Sequence, residues 1–292
     1  MIDRARGGGP VVSRRVLLLG GASAVLLGAC GQPGSRSTMT PPPTSASHTE
    51  SPTPATGEPS GTPTPSGSPT PSAQPTSPPT ESPPPVPVRA PARHVSDVLP
   101  GAPANAVALT FDDGPHPAWS PRILDLLARY GIPATFFMIG KSVQAHPDLA
   151  RRTLAEAHAV GNHTYDHPLP FTVLSRARMD AEIGDTQQAI AGATGYTPRL
   201  FRAPGGEWNA AGLSSAAAHG MIPVGWDVDP KDWSRPDSSV IVQRLSVARA
   251  GDILLCHDGG GDRSETLAAL DQVLPVLLGR GYRFVALAPT GG

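Results

Sequence analysis

The sequence predicts an α/β fold built on about seven parallel strands. Two patterns carry the prediction. From about residue 94, short apolar runs alternate with amphipathic stretches of helical period, and such alternation implies a parallel sheet with crossover helices. The polar residues most suited to chemistry then cluster just after the apolar runs, where parallel folds gather their ligand sites. Seven units in so short a segment suit a small, incomplete (β/α) barrel. An open doubly wound sheet shares the pattern, and periodicity does not separate the two.

Taken in order, the strand-like runs are 106–111, 134–139, 158–162, 200–203, 222–228, 253–256 and 282–287. The first helix, SPRILDLLARYG, offers Ser120 as a cap, Pro121 at the first helical position and Gly131 as its stop. Further helices are expected over 142–157, 175–193, 209–219 and 239–248. A last one begins near Ser264 and ends before Gly281, with Pro275 inside it predicting a kink.

The first third is different. Of the 36 prolines in 292 residues, 18 lie between Pro41 and Pro91, and no Phe, Trp or Tyr precedes Phe111. Aromatic residues dominate core energetics, so this part has no evident core. Its Pro/Ser/Thr-rich stretch favours extended polyproline II, and 51 residues reach roughly 160 Å at ~3.1 Å each. Before it, a basic start precedes SRRVLLLGGASAVLLGAC. The apolar part, 16–27, is shorter than a membrane span and suits the core of an export signal. Arg14-Arg15 resembles a twin-arginine signal, and LLGAC resembles a lipobox that would make Cys30 a lipidated N-terminus. The expected organisation is a lipoprotein signal peptide over 1–30, a disordered tether over 31–93 and a catalytic domain over 94–292. That places the domain outside the cytoplasmic membrane, facing the cell wall and tethered through a lipid anchor.

Only two cysteines are present. With Cys30 assigned to lipid, Cys256 has no disulfide partner and reads as a buried, inert thiol. The formal net charge of −1 gives no electrostatic footprint for nucleic acid, and nothing in the chain implies a protein partner.

The chemistry starts at AVALTFDDGPHP, where an apolar strand ends in Asp112 and Asp113. A buried carboxylate is costly unless it meets a cation, a metal or a proton. Further along, GNHTYDHP places His163 and His167 four residues apart, as on one face of a helical turn. Such a pair is weak by itself. Joined to a carboxylate from another strand end, it makes the two-His, one-carboxylate pattern of a catalytic divalent-metal site. Water activated at such a metal needs a base, and the second aspartate of the pair is available for that. Arg202, in FRAPGG, can pair with the base and hold it ionised, while Gly205 and Gly206 allow backbone N–H groups close to a ligand. His257, in LLCHDG, suits an acid for the leaving group. Asp229 or Asp232, in WDVDPKDW, would orient it and raise its pKa.

The ordered set TFDDGP, HTYDH, RAPGG, DPKDW and LLCH resembles the five motifs of the family 4 carbohydrate esterases. These are polysaccharide deacetylases with a NodB-type domain, and the resemblance spans residues 98–287. It implies a distorted, incomplete (β/α) barrel and a divalent metal, usually zinc. Carried over by motif, Asp112 is the base, and Asp113, His163 and His167 are the metal ligands. Arg202 orients the base, and the Gly205 N–H holds the oxyanion. Asp232 tunes His257, the general acid. Trp233 and Leu255 line an acetyl pocket. Two positions depart from the common pattern. Gly205 replaces an aromatic residue that lines the groove in many relatives, and Thr164 stands where many have Ser.

The implied reaction is hydrolysis of N-acetyl groups on an acetamido-sugar polymer, with peptidoglycan the first expectation. Chitin oligosaccharides and O-acetylated xylan are the alternatives. A catalytically inactive wall-binding module would not need this full set of side chains. A non-haem iron oxygenase would have no use for Asp112 or His257. Trp119 and Trp208, beside the motifs, are candidates for sugar stacking or core packing.

Overall fold

The computed structural model describes residues 89–288. The expected signal peptide, Cys30 and nearly all of the expected tether lie outside the described residues. Ala92, at the tether's expected end, is buried and bridges Val224, so the folded part takes it in.

The chain opens with a short helix α1 (Val95–Val98) and then runs β1 (Ala106–Gly114), α2 (Ser120–Tyr130) and β2 (Thr135–Met138). Next come α3 (Gly140–Ala145), α4 (Pro147–Ala155), β3 (Ala159–Asn162), α5 (Arg176–Thr194) and β4 (Leu200–Phe201). The last elements are α6 (Ala210–Ala218), β5 (Ile222–Pro223), α7 (Ser238–Leu245), β6 (Ile253–His257), α8 (Ser264–Gly279) and β7 (Arg283–Phe284). All strand pairs are parallel, in the order β5-β4-β3-β2-β1-β6, and β7 pairs with the first residues of β1.

The sheet curls but is not closed by paired strands. The apolar run 222–228 pairs with β4 only at its start. It then crosses toward the opposite edge, where Val228 bridges Leu254 and its carbonyl accepts the Leu255 N–H at 2.9 Å. Pro223 has no N–H to donate, so the run cannot continue as a full central strand.

Period-2 alternation decides what faces the inside. Along β1, Val107, Leu109 and Phe111 point outward into the main core beneath the helices, and Ala106 and Ala108 point inward. Thr110 and Asp112 continue that inward row. Along β6, Leu254 and Cys256 pack outward, leaving Leu255 and His257 on the inner face. The Cys256 thiol is buried and free, and burial pushes its pKa well up, which fits an inert role.

Several local expectations are corrected. Ser120 is not a cap. Trp119 holds that position, while the Ser120 hydroxyl turns inward to Asp258 and accepts the His116 N–H at 2.7 Å. The helix expected over 142–157 breaks at His146, because Pro147 disfavours helical geometry in the residue before it. By contrast, α8 runs through Pro275. The Asp271 carbonyl, which a proline at that position leaves without its helical N–H, accepts the Tyr130 hydroxyl at 3.1 Å. Ser175 and Asn209 cap α5 and α6, accepting the N–H groups of Arg178 and Gly212.

Candidate active site

Asp112 and Asp113 leave the end of β1 in opposite senses. Asp112 stays on the inward row and meets Arg202, whose Nη1 lies 2.8 Å from Oδ1. The Arg202 side chain is fully buried. It also donates to the Thr110 hydroxyl (2.9 Å) and to the carbonyls of Val224 (3.2 Å) and Gly225 (2.9 Å). Its guanidinium lies 4.1 Å from the centre of the Phe137 ring. A buried cation costs heavily unless paired and hydrogen-bonded, and here it has both kinds of partner.

Asp113 takes a left-handed conformation, φ 73°, unusual for a residue with a side chain. That turns its carboxylate toward the histidines. Oδ1 lies 3.5 Å from His163 Nε2 and 3.3 Å from His167 Nε2, yet it is buried with no hydrogen-bond partner. The expected helical turn at HTYDH is absent. Thr164 and His167 are both left-handed, with φ of 67° and 55°, and a bend brings the imidazole centres to 4.9 Å. His163 Nδ1 sits 2.8 Å from the Arg202 carbonyl, which fixes the Nδ1–H tautomer and leaves the Nε2 lone pair facing Asp113.

These three groups fit a divalent ion. Their ligand atoms lie within 4.8 Å of one another, and two imidazoles with a carboxylate form a suitable donor set. The electrostatics agree. Burial opposes ionisation of Asp113, but the histidines around it outweigh that and hold its carboxyl well below the usual range. Burial also disfavours charge on His163, yet Asp112 and Asp113 raise its pKa, so the centre attracts positive charge. Burial and the neighbouring His163 lower that of His167, keeping it a neutral donor.

Opposite this centre, His257 ends β6 with Nδ1 2.7 Å from Asp232 Oδ1. Asp232 also accepts the His257 N–H (2.9 Å) and the Thr266 hydroxyl (3.0 Å) through Oδ2. Between the two candidates, the geometry therefore selects Asp232 over Asp229. Burial works against protonation of His257. Asp232, Asp112 and Asp113 overcome it and push the imidazole pKa up to about 9.

A cavity of about 730 Å³ joins these groups, with Gly205, Leu255 and an exposed Trp233 on its walls. Gly205 is left-handed, φ 64°. Trp208 packs edge-on against Phe201 at 5.8 Å, which is a core role, and Trp119 stacks under Arg122 at 5.2 Å.

Sequence reasoning missed four neighbours. Arg263, buried to 2% exposure, donates to the carbonyls of Asp232 (2.9 Å), Gly259 (2.6 Å) and Gly260 (3.1 Å). Asp258 lies beneath Gly114, and burial pushes its carboxyl up to about 7. Its only visible signal was adjacency to His257. Glu207 and Leu169 line the cavity rim, with no motif marking either.

A family model described as polysaccharide deacetylase matches residues 100–224. A peptidoglycan-N-acetylglucosamine deacetylase of Bacillus cereus is 44% identical over 185 residues, covering 62% of this chain and 86% of that protein. A chitooligosaccharide deacetylase of Rhizobium leguminosarum bv. trifolii is 41% identical over 199 residues, covering 64% and 92%. A family 4 carbohydrate esterase from Streptomyces lividans, solved in complex with acetate, superposes with a TM-score of 0.60 at 41% identity, covering 65% and 97%.

Proposed function

Because the chain belongs to the polysaccharide deacetylase family, we propose that it hydrolyses the N-acetyl groups of peptidoglycan, with zinc held by Asp113, His163 and His167. The observation that carries this reading is the orphaned, buried Asp113 Oδ1 facing two imidazole nitrogens while Arg202 holds Asp112 apart.

A divalent ion held by these ligands would acidify water and polarise the acetyl carbonyl. Asp112, oriented by Arg202, takes the proton of the attacking water at Oδ2, its oxygen on the His163 side (3.8 Å from Nε2). The Gly205 N–H donates to the oxyanion as it develops. His257, protonated through its contact with Asp232, delivers a proton from Nε2 to the departing amine nitrogen. Leu255 and Trp233 enclose the acetyl methyl. Products are acetate and a glycan amine.

Peptidoglycan is preferred because the Bacillus cereus relative is named for it and because the N-terminal motif supports a wall-facing location. Twin-arginine export and lipidation at Cys30 belong to this proposal, and loss of acyl labelling in Cys30→Ser checks them. The rhizobial relative makes chitin oligosaccharides the second candidate. Acetate release from peptidoglycan, chitin oligosaccharides and acetylated xylan, measured in parallel with metal-loaded protein, separates the three. No release from any of them rejects the function.

A further inference from the structure

We infer that Glu182 is a positioning residue for the metal-ligating turn, its buried carboxylate setting how His163 and His167 face one another. The inference rests on reading those two histidines and Asp113 as ligands.

Glu182 lies on α5, remote in sequence from every motif, and its side chain is fully buried. A helix has no local reason to bury a carboxylate, so the reason lies across from it. Oε2 accepts the backbone N–H groups of Tyr165 (2.8 Å) and Asp166 (2.9 Å), two of the three residues between the ligating histidines. Oε1 meets Arg178 Nη2 at 2.7 Å, one turn earlier on α5, and the same nitrogen reaches Asp166 Oδ2 at 3.2 Å.

The hydrogen bonds of the turn show what depends on this. The His163 N–H goes to the Met138 carbonyl and the Thr164 N–H to Asn162 Oδ1. The Thr164 and Tyr165 carbonyls accept the first N–H groups of α3, from Gly140 and Lys141. Among the described residues, only Glu182 answers for the N–H groups of Tyr165 and Asp166. A bend with two left-handed residues, Thr164 and His167, has no regular ladder to hold it. Without the Glu182 carboxylate these two part-buried N–H groups lose the acceptor that holds them, and the bend can relax. Asn162 holds the His163 end and Glu182 the His167 end, so removing Glu182 changes the angle between the imidazoles rather than the fold.

The test uses Co²⁺ as probe on the full-length protein, reading visible absorption and competition with a chelator. Loss of an outer partner of a ligand typically weakens metal affinity about 10–100-fold. Glu182→Ala should show a weakening of that size, an altered Co²⁺ spectrum and a lower kcat with KM unchanged. Glu182→Gln keeps an acceptor oxygen for both N–H groups and should restore affinity and spectrum. Glu182→Asp, one methylene too short, should behave like Glu182→Ala and carries the test if the alanine variant does not fold. Wild-type affinity and spectrum in Glu182→Ala or Glu182→Asp would overturn the inference, as would equal damage in Glu182→Gln. A wild-type protein that fails to bind Co²⁺ would instead overturn the metal site itself.

Discussion

The backbone carbonyl of Arg202 lies 2.8 Å from Nδ1 of His163, while the guanidinium of the same residue holds Asp112 at 2.8 Å. One residue at the end of β4 thus orients both an imidazole of the proposed metal site and the neighbouring carboxylate. It couples the two halves of the proposed chemistry.

Asp112→Asn should lower acetate release by about 10²–10⁴-fold, the usual range for a general acid or base. Metal content should not change, because Asp113, His163 and His167 are untouched. Turnover and atomic absorption on the same sample check both halves.

His163→Ala and His167→Ala should each lose the metal and, with it, activity. Chelator treatment of wild type should do the same, reversed by adding Zn²⁺. Activity that survives complete chelation would contradict the site.

Arg202→Met should destabilise the fold by about 3–5 kcal/mol, the cost of leaving a buried charge without its partner. Asp112 and the carbonyls of Val224 and Gly225 would all lose their donor. Urea denaturation measures this.

For His257 the sign follows from its raised pKa of about 9. The proton that the leaving group needs is present below that value and lost above it, so activity falls as pH rises through about 9. Stability from the protonated His257–Asp232 pair follows the same course: complete below the ordinary imidazole value of about 6.5 and gone above about 9. Asp232→Asn removes the main raising partner, so the alkaline limb of the pH–rate profile should move toward neutral pH.

Gly259→Ala alters no ligand, yet its Cβ would strike the backbone oxygen of Asp113. Metal affinity should fall with little change in far-ultraviolet circular dichroism.

The motifs were legible because each ends an apolar run and the topology gathers strand ends. Asp112, Asp113, Arg202, Asp232 and His257 meet as expected for that reason. Glu182 was not legible, since a glutamate within RARMDAEIGD looks like any solvated helical residue until the turn packs on it. The left-handed backbones of Asp113, Thr164 and His167 were equally hidden, because no glycine marks them. Barrel against open sheet was undecidable from periodicity; it turns on how the chain after Pro223 crosses to β6. The break before Pro147 was readable by the rule for residues preceding proline, and the apolar pattern obscured it.

Metal-loaded protein should remove acetyl groups from a wall glycan with Asp112 as base. Mass spectrometry of purified peptidoglycan fragments, before and after incubation with Zn²⁺-loaded protein, tests it most directly. Wild type should yield amino sugars that have lost their acetyl groups, and Asp112→Ala should leave the fragments unchanged. Unchanged fragments from wild type carrying stoichiometric metal, or equal acetyl loss from both proteins, would contradict it.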